Sequence, residues 1–339
     1  MTLSSTAHPR DALFGAGERP PSLPVCDHYA GVPERMRKSL ELQAELGPVF
    51  DVTLDGEDGA PVGGEIEQAH RIAEFVTSPL NVHGRVGARV VPVSRPAFIG
   101  MVEAIVRRAG ARLAYLMIPK VAASPELHAA AQAIDHVAAG AGLERPIPLH
   151  ALVETHGALR DVHALAAHPR VESLPFGLMD FVSAHRGAIP QSAMSARGQF
   201  EHPLVLRAKL EIAAACHAAG KTPSHCVVTE FKHPGKLQEA ATRAARELGY
   251  TRMWSIHPAQ VRPIIDAFAP SAAEVDQAIE IIAKARAAHW APISHLDTLH
   301  DRASYRYFWQ VLERAWRTSY AGGPQLPAEV RRAYFEAEA

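Results

Sequence analysis

A chain of 339 residues that is 47% hydrophobic is long enough for one large barrel with an extension, or for two ordinary domains. Its 35 lysines and arginines nearly cancel 36 aspartates and glutamates, and neither sign forms a long run, which excludes the broad electrostatic footprint of a nucleic-acid-binding protein and favours a small-molecule partner. The longest apolar runs fall far short of the roughly 20 residues that cross a bilayer, and the N-terminus lacks an apolar h-region, so no membrane partner and a cytoplasmic location are expected.

Residues 1–23 carry Gly15, Gly17 and prolines at 9, 20 and 21 without period and read as an N-terminal arm. From residue 24 onward, short apolar runs rich in β-branched residues alternate with longer helical patterns, the signature of repeated βα units and a parallel sheet. Strands are expected at 24–28, 50–54, 88–93, 113–118, 147–153, 173–176, 225–230 and 252–256. Helices are expected at 34–46, 65–77, 97–109, 125–139, 159–167, 204–219 and 234–248. Eight strands with no long insertion point to a closed (β/α)8 TIM barrel over residues 24–288.

A further helix is expected to begin at Ser271, whose hydroxyl caps the backbone while Glu274 reaches back as the other half of a capping box. Its face of Val275, Ile279, Ile282 and Ala283 is expected against the barrel. Residues 289–339 form an aromatic-rich helical extension holding Trp290, Trp309 and Trp316 near Tyr305, Tyr307, Phe308 and Tyr320. Such a segment is either an internal brace or a lid or subunit contact; the enrichment of aromatics in interface cores favours the contact.

The chemistry-bearing residues are expected at the C-terminal ends of strands, where barrels of this type keep reactive groups. Three cysteines without CxxC spacing, and 19 histidines without HExxH, argue against a disulfide framework and against a thiolate or histidine metal site. Carboxylates are the alternative. The second strand ends in LDGEDGAP, which crowds Asp55, Glu57 and Asp58 on one rim; such acids repel unless a cation or protons intervene, although a solvated turn explains them equally. The fifth strand ends at Glu154 in ALVETHGAL and the sixth leads to Asp180 in FGLMDF, a pair suited to two monodentate contacts on Mg2+, with water and substrate oxygens completing its octahedron. Arg89, in an apolar third strand, either clamps a substrate carboxylate or pairs with a rim acid, and Lys120 after LMIP faces the same choice. His257 in SIHPAQV is a proton shuttle or a helix-start cap.

The succession LDGEDGAP, ARVVP, LMIPKV, ALVETHGAL, FGLMDF and SIHPAQV, spanning roughly residues 25–265, resembles the HpcH/HpaI aldolase and citrate lyase beta subunit superfamily, which includes malyl-CoA and citramalyl-CoA lyases. The resemblance implies a (β/α)8 barrel with Mg2+ held by Glu154 and Asp180, Glu57 and Asp58 beside Asp55 holding metal-bound waters, and Arg89 binding substrate. Lys120 and His257 join it as substrate-binding candidates. It implies a carbon–carbon lyase that cleaves a small 3-hydroxyacyl-CoA, such as citryl-, malyl- or citramalyl-CoA, into acetyl-CoA and a 2-oxo acid. The partners so implied are a hydroxy or oxo acid and a CoA thioester, in a homo-oligomer, trimer or hexamer. Two departures stand out: Gly56 replaces a leucine of the family, and Val91 stands where the family usually has asparagine. LHDRASYR faintly resembles the family loop whose aspartate reaches a neighbouring subunit's site, which makes Asp301 a catalytic candidate with Asp297 behind it. The competing expectations are a class II aldolase joining pyruvate to free aldehydes and a non-catalytic ligand-binding barrel.

Overall fold

The computed structural model describes residues 8–15, 23–60 and 62–336. Its main unit, Pro20–Phe268, is a closed barrel of eight parallel strands in sequential order, the expected (β/α)8 fold. The strands are β1 (Cys26–Ala30), β2 (Phe50–Asp55), β3 (Val86–Arg89), β4 (Leu116–Ile118), β5 (Leu149–Ala151), β6 (Val171–Pro175), β7 (Thr222–His225) and β8 (Arg252–Ser255). Strand β8 closes on β1, with Asp27 beside Trp254 in parallel register.

Two expectations are corrected. The seventh strand lies at Thr222–His225 rather than at 225–230. Proline usually argues against a central strand, but here Pro223 stands in register with Leu174, and its carbonyl accepts the Thr251 N–H at 3.4 Å. The segment from Cys226 to Val228, in which Cys226 and Val228 are buried, instead follows the strand end outside the regular strand. The helix expected over 159–167 is divided at Asp161, between His156–Arg160 and Val162–Ala167. There the Asp161 carboxylate accepts the backbone N–H of Ser124 at 3.0 Å, at the start of the neighbouring helix Ser124–Gly140.

The lower barrel interior holds a set of charged side chains in ion pairs. Arg252, with no exposed surface, reaches Asp51 at 2.6 Å and Asp27 at 3.2 Å, while Arg85 reaches Asp51 at 2.7 Å. Burial opposes the Arg252 charge, but Asp51 and Asp27 outweigh it and raise its pKa. Two guanidiniums thus meet two carboxylates, as buried charges require. Lys209 is also wholly buried, donating to Gln199 at 2.7 Å and lying 2.8 Å from the Nε2 of His225; burial pushes its pKa down to about 8. Cys26, Cys216 and Cys226 are free and buried, as their spacing suggested. No helix of the described residues is long and apolar enough to cross a membrane.

The second unit comprises Met1–Arg19 with Ala269–Ala339. Of the expected arm over residues 1–23, residues 1–7 and 16–22 lie outside the described residues, and Pro9–Phe14 form a short helix. The Ser271–Glu274 capping box is present at the start of the helix Ala272–Ala287. The buried face of that helix is Ala278, Ile281, Ile282 and Ala285, so Ala283 is solvent-facing, and the face packs on the helix Arg302–Arg317. Part of the aromatic segment is packed inside this unit. Tyr305, Phe308, Trp309 and Leu312 recur at i, i+3, i+4 and i+7, one stripe of a helix, and with Trp290 they form the core of this unit. Tyr307, off the stripe, is exposed.

Candidate active site

The upper rim of the barrel gathers the carboxylates of β2, β5 and β6. An isolated parallel bridge between Val153 and Phe176 extends the β5–β6 pairing past the regular strands, with Val153 N–H donating to Pro175 and Gly177 N–H donating to Val153. This holds Glu154 and Gly177 side by side, and Gly177 starts the helix Leu178–Ser183 that carries Asp180 in its first turn. A side chain at Gly177 would place its Cβ 2.1 Å from Glu154 Oε2, so only glycine fits there.

Glu154 is buried, at 2% exposure, and accepts the backbone N–H of Lys120 at 2.6 Å. Burial, and then the charge of Asp180, push its pKa up to about 8. Asp180 is partly exposed and lies 3.7 Å from the Lys120 ammonium. The same ammonium contacts Glu57 and sits 3.0 Å from Asp58, so Lys120 bridges acids from two sides of the rim. Burial opposes its charge, but its bonds to Glu57 and Asp58 raise its pKa. Its backbone is left-handed, φ 50°, an uncommon conformation for a residue with a Cβ.

Arg89 ends β3 and pairs with rim acids. Its Nε and Nη2 donate to Asp55 at 2.7 and 2.6 Å, and its Nη1 lies 3.1 Å from Glu57. Three of five guanidinium N–H donors are thereby used and two are left for a ligand. Asp55 also accepts the N–H groups of Glu57 and Gly59 at 3.0 and 2.9 Å, and a side chain at Gly59 would collide with it. Asp55 is therefore the brace of Arg89, whereas Glu57 and Asp58 are the acids of this loop facing Lys120.

Sequence reasoning missed the floor beneath Arg89. Tyr29, at the end of β1, lies 5.5 Å under the guanidinium and stacks on Trp254 at 4.4 Å. The available signal was inward alternation along β1 and β8, which puts Asp27 and Tyr29, and Arg252 and Trp254, on one side. His257 is not joined to this cluster: its side chain accepts the Ala259 N–H at 3.2 Å as a helix-start cap and stacks on Phe231. Asp301, in the other unit, caps the helix Arg302–Arg317 by accepting the N–H of Ala303 at 2.9 Å and of Ser304 at 3.4 Å.

Among the described residues no three histidine, cysteine or acid side chains form a ready metal cage. A pair of carboxylates is nevertheless what Mg2+ takes from proteins, since it keeps several waters and uses substrate oxygens. The rim fits that demand: Glu154 is an acid whose charged form is penalised by burial and by Asp180, and an added divalent cation relieves both effects.

A profile of the HpcH/HpaI aldolase/citrate lyase family matches residues 49–258. The chain belongs to this family. HpcH/HpaI membership makes it a carbon–carbon lyase of the aldolase and citrate lyase type. A crystal structure of a citrate lyase from Burkholderia xenovorans LB400 superposes with a TM-score of 0.83 at 49% identity, covering 97% of this chain and 100% of that one. The L-malyl-CoA/beta-methylmalyl-CoA lyase of Cereibacter sphaeroides is 25% identical over 292 residues, 82% of this chain and 85% of its own. The protein CitE of Mycobacterium tuberculosis, solved with magnesium, acetoacetate and coenzyme A, shares the fold with a TM-score of 0.66 at 19% identity, covering 87% of this chain and 98% of that one.

Proposed function

We propose that this lyase is magnesium-dependent and cleaves a small 3-hydroxyacyl-CoA of the citryl, malyl or citramalyl type into acetyl-CoA and a 2-oxo acid. The observation that carries the reading is the Glu154–Asp180 carboxylate pair, held at one strand-end bridge beside Arg89. The malyl-CoA lyase relative and the coenzyme A complex of the fold relative support the substrate class.

In this reading Glu154 and Asp180 hold Mg2+. Bound there, the ion supplies Lewis-acid stabilisation of charge on the oxygens of the hydroxy or oxo acid. Arg89, stiffened by Asp55 and Glu57, turns its two remaining N–H donors toward the substrate and stabilises oxyanion charge in a partly desolvated setting. Lys120 fixes Glu57 and Asp58 and orients Glu154 through its backbone. Cleavage removes the hydroxyl proton, turns that carbon into the carbonyl of the oxo acid, and leaves the bonding electrons on the thioester fragment, which is then protonated. Asp301 remains the proposed acid–base group on the strength of the resemblance.

A panel of citryl-, malyl- and citramalyl-CoA, assayed with and without chelator, tests the reading. Turnover of at least one thioester that chelation abolishes is expected. Turnover of free hydroxy-oxo acids with none of the thioesters would favour the pyruvate aldolase, and binding of Mg2+ without turnover would favour a ligand-binding barrel.

A further inference from the structure

At the opposite end of the barrel from the carboxylates, where the strands begin, lies a cavity of about 460 Å3 lined by Arg85, Arg112, Arg145, Glu172 and Gly84 among others. Arg85 immediately precedes β3, Arg145 precedes β5, and Glu172 is the second residue of β6.

The charge balance of this cavity is unusual. Arg85 is part of the neutral set it forms with Asp51, Asp27 and Arg252. Arg112 and Arg145 have no carboxylate partner among the described residues. Neutral backbone carbonyls hold them instead: Arg112 donates to Thr77 at 2.7 Å and Asn81 at 2.5 Å, and Arg145 donates through Nη2 to Gly110 at 2.9 Å and Leu113 at 2.5 Å. Carbonyls fix the position of a guanidinium without cancelling its charge, and Nε and Nη1 of Arg145 have no partner among the described residues. The one acid on the wall, Glu172, is 3.8 Å from His150. With the neutral set removed, two guanidiniums face one carboxylate in a cavity large enough for a small ligand.

We propose that this cavity binds a small multivalent oxyanion of phosphate type, either the free ion or the phosphoryl end of a larger molecule, with Arg112 and Arg145 as preset donors. The two exposed guanidiniums, each hydrogen-bonded to backbone carbonyls, can offer their remaining N–H groups to such an ion, and Glu172 limits its affinity by like-charge repulsion. The site is separate from the lyase rim and does not depend on the substrate assigned there.

The test is calorimetric titration of the full chain with inorganic phosphate and with a nucleoside monophosphate, at constant ionic strength so that screening is matched. Saturable binding of either probe is expected. Arg145→Gln is expected to weaken it by about tenfold or more, the worth of a charge-assisted hydrogen bond, and Glu172→Gln to tighten it while thioester turnover stays unchanged. Absence of saturable binding, or a Glu172→Gln protein that binds no more tightly than the parent, overturns the proposal. Should Arg145→Gln fail to fold, the Glu172→Gln titration decides alone.

Discussion

The backbone N–H of Lys120 donates to the Oε1 of Glu154 across 2.6 Å, from a residue whose φ of 50° turns that N–H toward the neighbouring strand end. One residue thus does two separable things: its peptide holds the buried acid, and its ammonium holds Glu57, Asp58 and Asp180 together. Lys120→Met keeps the first and removes the second. With chelator present the variant is expected to melt below the parent, because the rim acids then repel, and Mg2+ is expected to close most of the gap. Equal melting temperatures in chelator would show that the ammonium does not compensate the rim.

Gly177→Ala tests the contact between the two strand ends proposed to hold the metal. The new Cβ would stand 2.1 Å from Glu154 Oε2, so the carboxylate must move. Overpacking of this kind costs about 1–3 kcal/mol, and the displaced acid should weaken Mg2+ binding and turnover together. Full magnesium affinity in this variant, measured calorimetrically, would mean that the close approach is incidental.

Magnesium binding should depend on pH with a definite sign. The pKa of Glu154 rises from an ordinary 4.5 to about 8, so the metal-free rim keeps its proton below that pH and must release it to bind a cation. Apparent affinity is expected to fall about tenfold per pH unit below about pH 8 and to level off above it. For the metal-free protein the linkage runs the other way: the contribution of protonated Glu154 to stability is full below 4.5 and is lost as pH rises through about 8. Titrations in buffers of different ionisation enthalpy measure the proton released, and an affinity independent of pH from about 6 to 8 would contradict this.

Asp301→Asn separates a helix cap from a catalytic acid. Asparagine caps as well as aspartate, so the helix Arg302–Arg317 should keep its stability. Acid–base roles are worth about 10²-fold or more, and a fall in turnover of that order with unchanged melting is expected. Undiminished turnover would confine Asp301 to its cap.

Much of the barrel was legible because hydrophobic strand runs and helical periods alternate so regularly, and the rim residues followed from one rule about strand ends. What stayed hidden depends on neighbours far apart in sequence. The seventh strand, expected at 225–230, lies at Thr222–His225, where Pro223 takes its register from Leu174 of the neighbouring strand. The peptide N–H of Lys120 leaves no trace in a side-chain pattern, yet it holds Glu154. The aromatic segment declared its composition but not its covering, because the residues that share its core, Ala278, Ile281 and Ile282 among them, lie on another helix. Arg89 could have paired with ligand or protein, and only the closeness of Asp55 decides that both its Nε and Nη2 are taken.

The most direct measurement of the central claim is thioester cleavage and Mg2+ binding by Glu154→Gln, with Asp180→Asn beside it. Both substitutions keep side-chain volume, so the chains should remain folded. The account predicts that each abolishes magnesium-dependent turnover and weakens calorimetric binding of the ion. Undiminished cleavage by either variant would contradict the assignment of this pair as the metal-holding acids of the lyase.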